Sequence, residues 1–352
     1  MLNPTMSCCA ECFGDRGLRR DIIPIHSTAI GQCSYCETRD IALVTPTELA
    51  EYFELLVSAY RPDPGGQFLV YWFRKDWMMF QHPRMDDSRA KDLLAEILND
   101  GEIVRHTFIP GSDPAKDRLS EWEKFREELM YHNRYFPESI IDLDRLESLL
   151  SPLTLDSDEV PRQWHRARIL PGDTPFTAAE MGAPSKRSAS HGRANPAGIP
   201  YLYLGSTPDA AITEVRPHTG EKACVAEFTT PADLKLIDLR EPRSMVSPFL
   251  LADAIDIGKM RNDLPFLERL GDELTRPVIP QSAAIDYTPS QYLCEFIKNC
   301  GYQGVIYRSS VSDGMNLALF DPALAVCGSV AEYQVNRVTV EIAIREPSPV
   351  IH

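Results

Sequence analysis

The chain has no run of about 18 apolar residues, the length a helix needs to bridge a bilayer's hydrocarbon core, so no membrane span is expected. Base is scarce relative to acid: 36 Lys and Arg stand against 51 Asp and Glu, a net charge of −15. That balance argues against a nucleic-acid partner, because phosphate backbones are held by clustered Lys and Arg, although a local basic patch is compatible with it. No Gly-x-Gly-x-x-Gly opens a helix after a strand, which leaves a Rossmann dinucleotide site unsupported. The first residues mix acid, base and cysteine where a secretory leader would be apolar, so the cytoplasm is the expected compartment. Internal repeats and low-complexity tracts are missing as well.

What is present suits a globular α+β protein. The 352 residues suffice for two domains that each bury a core, and 43% hydrophobic with 25% charged residues is ordinary for such folds. Twenty-eight scattered prolines suggest many loops. Residues 1–45 form a cysteine-rich segment, residues 46–155 read as a helical domain, and residues 162–345 form a third unit beyond the polar linker Ser151–Pro161. Apolar spacing predicts helices over Thr47–Leu56, from Asp87 to Leu98 and over Leu119–Tyr131, with a shorter one within 138–163. After Trp164 the pattern turns to short β-like runs: Tyr201–Leu204, Ala223–Phe228, Leu234–Leu239, Gly304–Arg308, Leu317–Phe320 and Gln334–Ile344.

Nine cysteines, an odd number, favour metal ligation over disulfides. Cys9-x2-Cys12 is followed, after twenty residues, by Cys33-x2-Cys36. Two such knuckles supply the four soft thiolates that zinc takes tetrahedrally, and metal binding would help fold a segment with little apolar bulk. The bland alternative is four free thiols in a loop, and Cys8 could substitute for Cys9. A four-thiolate zinc site is closed, so its role would be structural. Cys224, Cys294, Cys300 and Cys327 lack this spacing and are expected as buried small hydrophobes.

Four ordered motifs in the second half carry more specific chemistry. They are Trp164-His165-Arg166-Ala167-Arg168-Ile169, then Gly192-Arg193-Ala194-Asn195-Pro196, then Tyr201-Leu202-Tyr203-Leu204-Gly205-Ser206 running into Thr207–Val215, and finally Gly304–Ser310 with Asn316–Phe320. Ser206-Thr207-Pro208-Asp209 reads as a helix start with a hydroxyl cap, and Pro217 blocks continuation, which leaves Glu214 near the end of a two-turn helix. By spacing alone Glu214 is a solvated helix-end glutamate, Arg166 and Arg193 are surface arginines, Tyr203 is a strand residue, and Asn195 makes an Asx-type turn before Pro196.

Over residues 164–322 these motifs together resemble the RES domain, the toxin module of RES–Xre toxin–antitoxin systems. The resemblance implies an ADP-ribosyltransferase-like fold and an enzyme that degrades NAD by phosphorolysis or hydrolysis. It implies Arg166, Tyr203, Glu214 and Ser309 as catalytic residues, with Ser310 as the fallback serine. Arg166, Arg193, Asn195 and Tyr203 would line the NAD site, and Arg168 is a basic neighbour on the same strand face. The chemistry is consistent: planar guanidinium forks suit a pyrophosphate, and a carboxylate suits the oxocarbenium character that develops when an N-glycosidic bond breaks. Ser309 would hydrogen-bond an incoming phosphate, a possible co-substrate, or the pyrophosphate. An inhibitory Xre-type antitoxin or other protein partner is expected, and a homo-oligomer stays open.

Compared with compact RES toxins, about 95 residues separate Glu214 from Ser309, and residues 241–290 look like an inserted helix and loop. This insertion could form a lid or stand where an antitoxin would bind. The zinc-plus-helical first half resembles the HEPN/RES amino-terminal domain. Within it, Arg126-x5-His132 fits the Arg–His spacing of HEPN ribonucleases, which makes RNA cleavage the rival reading, although Glu127 and Glu128 would repel RNA. ADP-ribosyl transfer to a macromolecule is a further alternative.

Overall fold

The computed structural model describes residues 6–27, 29–111, 118–139, 141–279, 281–339 and 342. In the cysteine-rich segment, two short antiparallel strands, β1 (Ala29–Gly31) and β2 (Ile41–Leu43), flank the second cysteine pair. In the first pair Cys9 caps and Cys12 lies within a single helical turn, Ala10–Phe13, closed by Gly14 in the left-handed region. All four sulfurs lie within 4.8 Å of one another and are buried. Cys8, although buried, turns its thiol to the Val44 carbonyl and stands outside this set.

Helices form where apolar spacing places them, with adjusted ends. A 3₁₀ turn at Pro46–Leu49 leads into α1 (Ala50–Ser58), which buries Phe53 and Leu56. α2 (Leu69–Trp77) was not anticipated; its buried Leu69, Val70, Phe73 and Trp77 share one face. It follows β3 (Tyr60–Phe68), a strand that pairs with β4 (Thr107–Pro110). α3 (Asp87–Ile97) is capped by Asp86, whose carboxylate accepts from Arg89 N at 2.9 Å. α4 (Arg118–Tyr131) buries Trp122, Phe125 and Leu129, and α5 (Leu143–Leu150) follows.

The second half is built on a mixed seven-stranded sheet. Its strands are β5 (Gln163–Ile169), β6 (Leu202–Gly205), β7 (Lys222–Thr229), β8 (Leu236–Asp238), β9 (Gly304–Arg308), β10 (Met315–Leu319) and β11 (Val326–Gln334), in spatial order β11-β7-β5-β6-β10-β9-β8. Among the described strands only β8 and β9 pair in parallel. The last strand corrects the sequence expectation of Gln334–Ile344. The true strand carries a bulge between Cys327 and Val330 that interrupts its alternation, residues 335–339 are coil, and most of the expected stretch beyond lies outside the described residues. Cys224 and Cys294 are buried as small hydrophobes, whereas Cys300 and Cys327 are only partly so.

The longer helices of this half are α6 (Pro208–Glu214), the long α7 (Ala254–Thr275) and α8 (Thr288–Asn299). The 241–290 insertion is therefore dominated by α7, and α7 leans on the first half of the chain. Its Ile257, Met260, Leu264, Leu267, Leu270 and Leu274 join one continuous core with the helices of residues 46–155 and one face of the sheet. Along β9 the alternation is visible: Val305 and Tyr307 face that core, and Ile306 faces a second cluster around Trp164 and Leu204. Two buried carboxylates on α7 are clamped at this seam. Asp263 meets Arg118 at 2.5 Å and Arg145 at 2.7 Å, and Glu273 meets Arg126 at 3.0 Å and Arg269 at 2.9 Å.

Candidate active site

β5 pairs along its whole length with β7 but touches β6 only at His165–Gly205, so the two strands part beyond that point. A cleft of about 440 Å³ opens there, and both strands contribute lining: His165 and Arg166 from β5, Tyr203 from β6. Arg166 spans the gap, donating from Nη1 to the Tyr203 carbonyl at 3.0 Å, while its buried Nε has no partner among the described residues. Burial, helped by the nearby Arg168 guanidinium, lowers the Arg166 pKa, so an anion beside it would be favoured. Arg168 itself is engaged elsewhere, stacked on Phe176 and donating to the Glu180 carbonyl at 2.5 Å.

The loop at 192–195 folds against the tip of Tyr203. The Tyr203 hydroxyl donates to Asn195 Oδ1 at 2.7 Å and accepts from Ala194 N at 2.9 Å. Burial pushes the phenol well above its usual range, so this hydroxyl stays protonated and acts as a strut. A β-carbon at Gly192 would collide with the same hydroxyl and with Asn195, so the loop requires glycine there. Asn195 is buried, and its Nδ2 serves three carbonyls, those of Ser190, Pro196 and Ile199. The side chain expected to touch the dinucleotide is thus consumed in shaping the loop. From behind, Gln291 Nε2 donates to the carbonyls of Gly192 and Asn195, and Ser290 donates to that of Arg193. Arg193 reaches into the cleft, held by the Arg276 carbonyl at 2.7 Å and lying over the Tyr287 ring at 5.3 Å.

Glu214 arrives on α6. The cap is Thr207, one residue later than Ser206, and it accepts from Ala210 N at 3.1 Å; Ser206 instead accepts from Met315 N. Close packing of α6 on the sheet depends on Gly205, where a β-carbon would sit 2.8 Å from Ala211 N. Glu214 is the last helical residue, and Arg216, in the left-handed region at φ 50°, turns the chain away. The Glu214 side chain is exposed in the cleft, yet one oxygen is anchored: Oε1 accepts from Ser309 Oγ at 2.7 Å and from Asn316 Nδ2 at 2.6 Å.

The expected residues Arg166, Arg193, Tyr203 and Glu214 therefore share one cleft. Ser309 stands one step behind it: the proton expected to meet a phosphate oxygen is given to Glu214, and its oxygen accepts from Val311 N and Ser312 N; Ser310 lines the cleft instead. Sequence reasoning gave no role to Asn316, Arg216 or Tyr287. A polar residue inside the apolar strand Met315–Leu319 was the available signal for Asn316. The lining contains Arg166, Arg193 and Arg216 against Glu214 alone, a locally basic pocket in an acidic chain.

The rival pair Arg126 and His132 does not converge on a pocket of this kind. Arg126 is drawn into the seam by Glu273, while His132 borders a shallow groove with Glu123, Glu127, Glu128 and Glu138. The four knuckle sulfurs fit a metal: tetrahedral zinc thiolates have sulfurs roughly 3.8 Å apart, from Zn–S bonds of about 2.3 Å, and all four here gather within 4.8 Å. No helix among the described residues is long and apolar enough to cross a membrane.

Comparison with known proteins gives one family. The sequence model of the RES domain matches residues 161–338, just over half of the chain. Among solved structures, the M. tuberculosis MbcT–MbcA toxin–antitoxin complex contains a chain that is similar at 14% identity, covering 55% of this chain and 94% of that one, with a TM-score of 0.34. No curated protein sequence matches.

Proposed function

The chain belongs to the RES domain family, and we propose from that membership that its cleft degrades NAD by breaking the nicotinamide–ribose bond. The observation that carries this reading is the convergence of Arg166, Arg193 and Glu214 on one cleft, from β5, a loop and α6. Arg193, and the half-buried Arg166 behind it, supply the positive field for a pyrophosphate. Glu214 supports the ribose as the bond to the cationic ring breaks: the bonding pair goes to the ring nitrogen, nicotinamide leaves neutral, and the oxocarbenium character left at the sugar carbon is lowered in energy by an adjacent carboxylate. Tyr203 and Asn195 act through the loop they brace.

The bond broken is the same for either nucleophile. Water gives ADP-ribose, nicotinamide and a proton; inorganic phosphate gives ADP-ribose 1″-phosphate and nicotinamide. Unrestrained, either activity would deplete NAD, which fits a toxin or defence effector kept in check by an inhibitory partner such as an Xre-type antitoxin. Ribonuclease action is the less supported reading, since Arg126 is tied up at the seam and His132 is ringed by acid.

The test is incubation of the purified full chain with NAD, with and without phosphate, and identification of the products. Free nicotinamide together with ADP-ribose or its 1″-phosphate is expected. Glu214→Ala should lower turnover by roughly 10²–10⁴-fold, the range for a positioned catalytic carboxylate. Intact NAD under both conditions, with RNA cleaved or a protein ADP-ribosylated instead, would overturn the reading. Cys9, Cys12, Cys33 and Cys36 would hold a structural zinc. Chelation in denaturant should release about one zinc per chain and lower the stability of the first half; a metal-free protein by elemental analysis would reject this.

A further inference from the structure

Glutamate at a helix end carries three side-chain torsions, and a solvated one samples many rotamers. Glu214 is exposed in the cleft, yet its carboxylate is tethered to the sheet by two donors far away in sequence, Ser309 Oγ and Asn316 Nδ2. Both land on Oε1, and no hydrogen bond engages Oε2 among the described residues.

Asn316 is built to hold this position. It lies in β10 between Gly205 of β6 and Tyr307 of β9, and is 4% exposed. A polar group in such an interior strand is costly unless hydrogen-bonded, and the Asn316 amide donates one of its two protons to Glu214 at 2.6 Å. The donor is also neutral. An arginine here would neutralise the carboxylate; an amide fixes its direction and leaves the negative charge intact for a cationic transition state.

We infer that Asn316 is a positioning residue for the reaction: by pinning Oε1 of Glu214, it presents Oε2 to the nicotinamide ribose. This rests on Glu214 acting at that ribose, as proposed above. Asn316 reaches the wall of the cleft, but its amide is turned to Glu214, so its loss should lower turnover and leave NAD binding in place.

The experiment compares NAD turnover by the wild type, Asn316→Ala and Asn316→Asp from pH 5 to 9, with thermal melts of each. Asn316→Ala should lower kcat roughly ten- to a hundredfold, with KM within about twofold. Asn316→Asp is nearly isosteric, and it can donate to Glu214 only while the acid pair shares a proton. Its activity should be retained at the acid end and fall as pH rises, in a limb the wild type lacks. Should the alanine variant fail to fold, the pH profile of the aspartate variant decides the matter. An unchanged kcat in Asn316→Ala, a change confined to KM, or an Asn316→Asp profile parallel to the wild type overturns the inference. Wild-type protein that leaves NAD intact would sink the parent reading; active wild type indifferent to Asn316 sinks only this one.

Discussion

Glu214 and Glu273 both sit at or near the C-terminal end of a helix, α6 and α7, yet they live in opposite surroundings. Glu214 faces an open cleft, steadied by a hydroxyl and an amide. Glu273 is 1% exposed and is met by Arg126, Arg269 and the indole of Trp122. Asp263, one seam contact along, has Arg118 and Arg145. The difference separates architecture from chemistry. A carboxylate taken out of water survives as an anion beside fixed cations, and its charge is then spent on holding two parts of the chain together. Glu214, met by neutral donors alone, has no fixed counter-ion, and under the function proposed above it is left for the substrate.

Removing a seam carboxylate should produce the largest effect on stability. Glu273→Ala leaves Arg126 and Arg269 facing each other without their anion, and should cost about 3–5 kcal/mol by urea unfolding. Glu214→Ala should leave the unfolding midpoint in place. A cost below about 1 kcal/mol for Glu273→Ala, the range of an exposed pair, would erase the contrast.

Asp15 tests the comparison from between the two extremes, because it is buried at the same seam without an arginine clamp. Its oxygen accepts from Leu18 N and from Ser247 Oγ, both at 2.8 Å. Burial raises its pKa to about 6 from 3.8. A raised folded-state pKa means that the stability this group contributes is fully present below about pH 4 and is lost as pH climbs through about 6. The shift corresponds to about 3 kcal/mol. Subtracting the Asp15→Asn unfolding curve from that of the wild type should reveal this fall between pH 4 and 6 and a flat difference outside it. A flat difference throughout would mean that Asp15 is adequately solvated or paired.

Much of the first half was legible because helical periodicity is local. Leu93, Leu94 and Ile97, or Trp122, Phe125 and Leu129, declare their shared face within a few turns. The cysteine knuckles were legible for the same reason. In the second half, the motifs located Arg166, Arg193, Tyr203 and Glu214, but not what each side chain does with its hydrogen bonds. Those partners are distant: Asn316 lies 102 residues from Glu214, and Ser309 lies 95. No window of sequence contains both ends of such a contact. Arg126 shows the converse: its spacing to His132 suggested a pair, while its real partner is on α7. β11 was displaced because its bulge broke the two-residue alternation on which a strand assignment rests.

The apolar ridge of α7 ties the fate of the RES module to everything that precedes it. A fragment trimmed at the Ser151–Pro161 linker would display Ile257, Leu264 and Leu267 to water, with Asp263 and Glu273 stripped of Arg118, Arg145 and Arg126. Here the front half is part of the module's own scaffolding, and the carbonyl that holds the Arg193 guanidinium belongs to Arg276, at the end of the same helix.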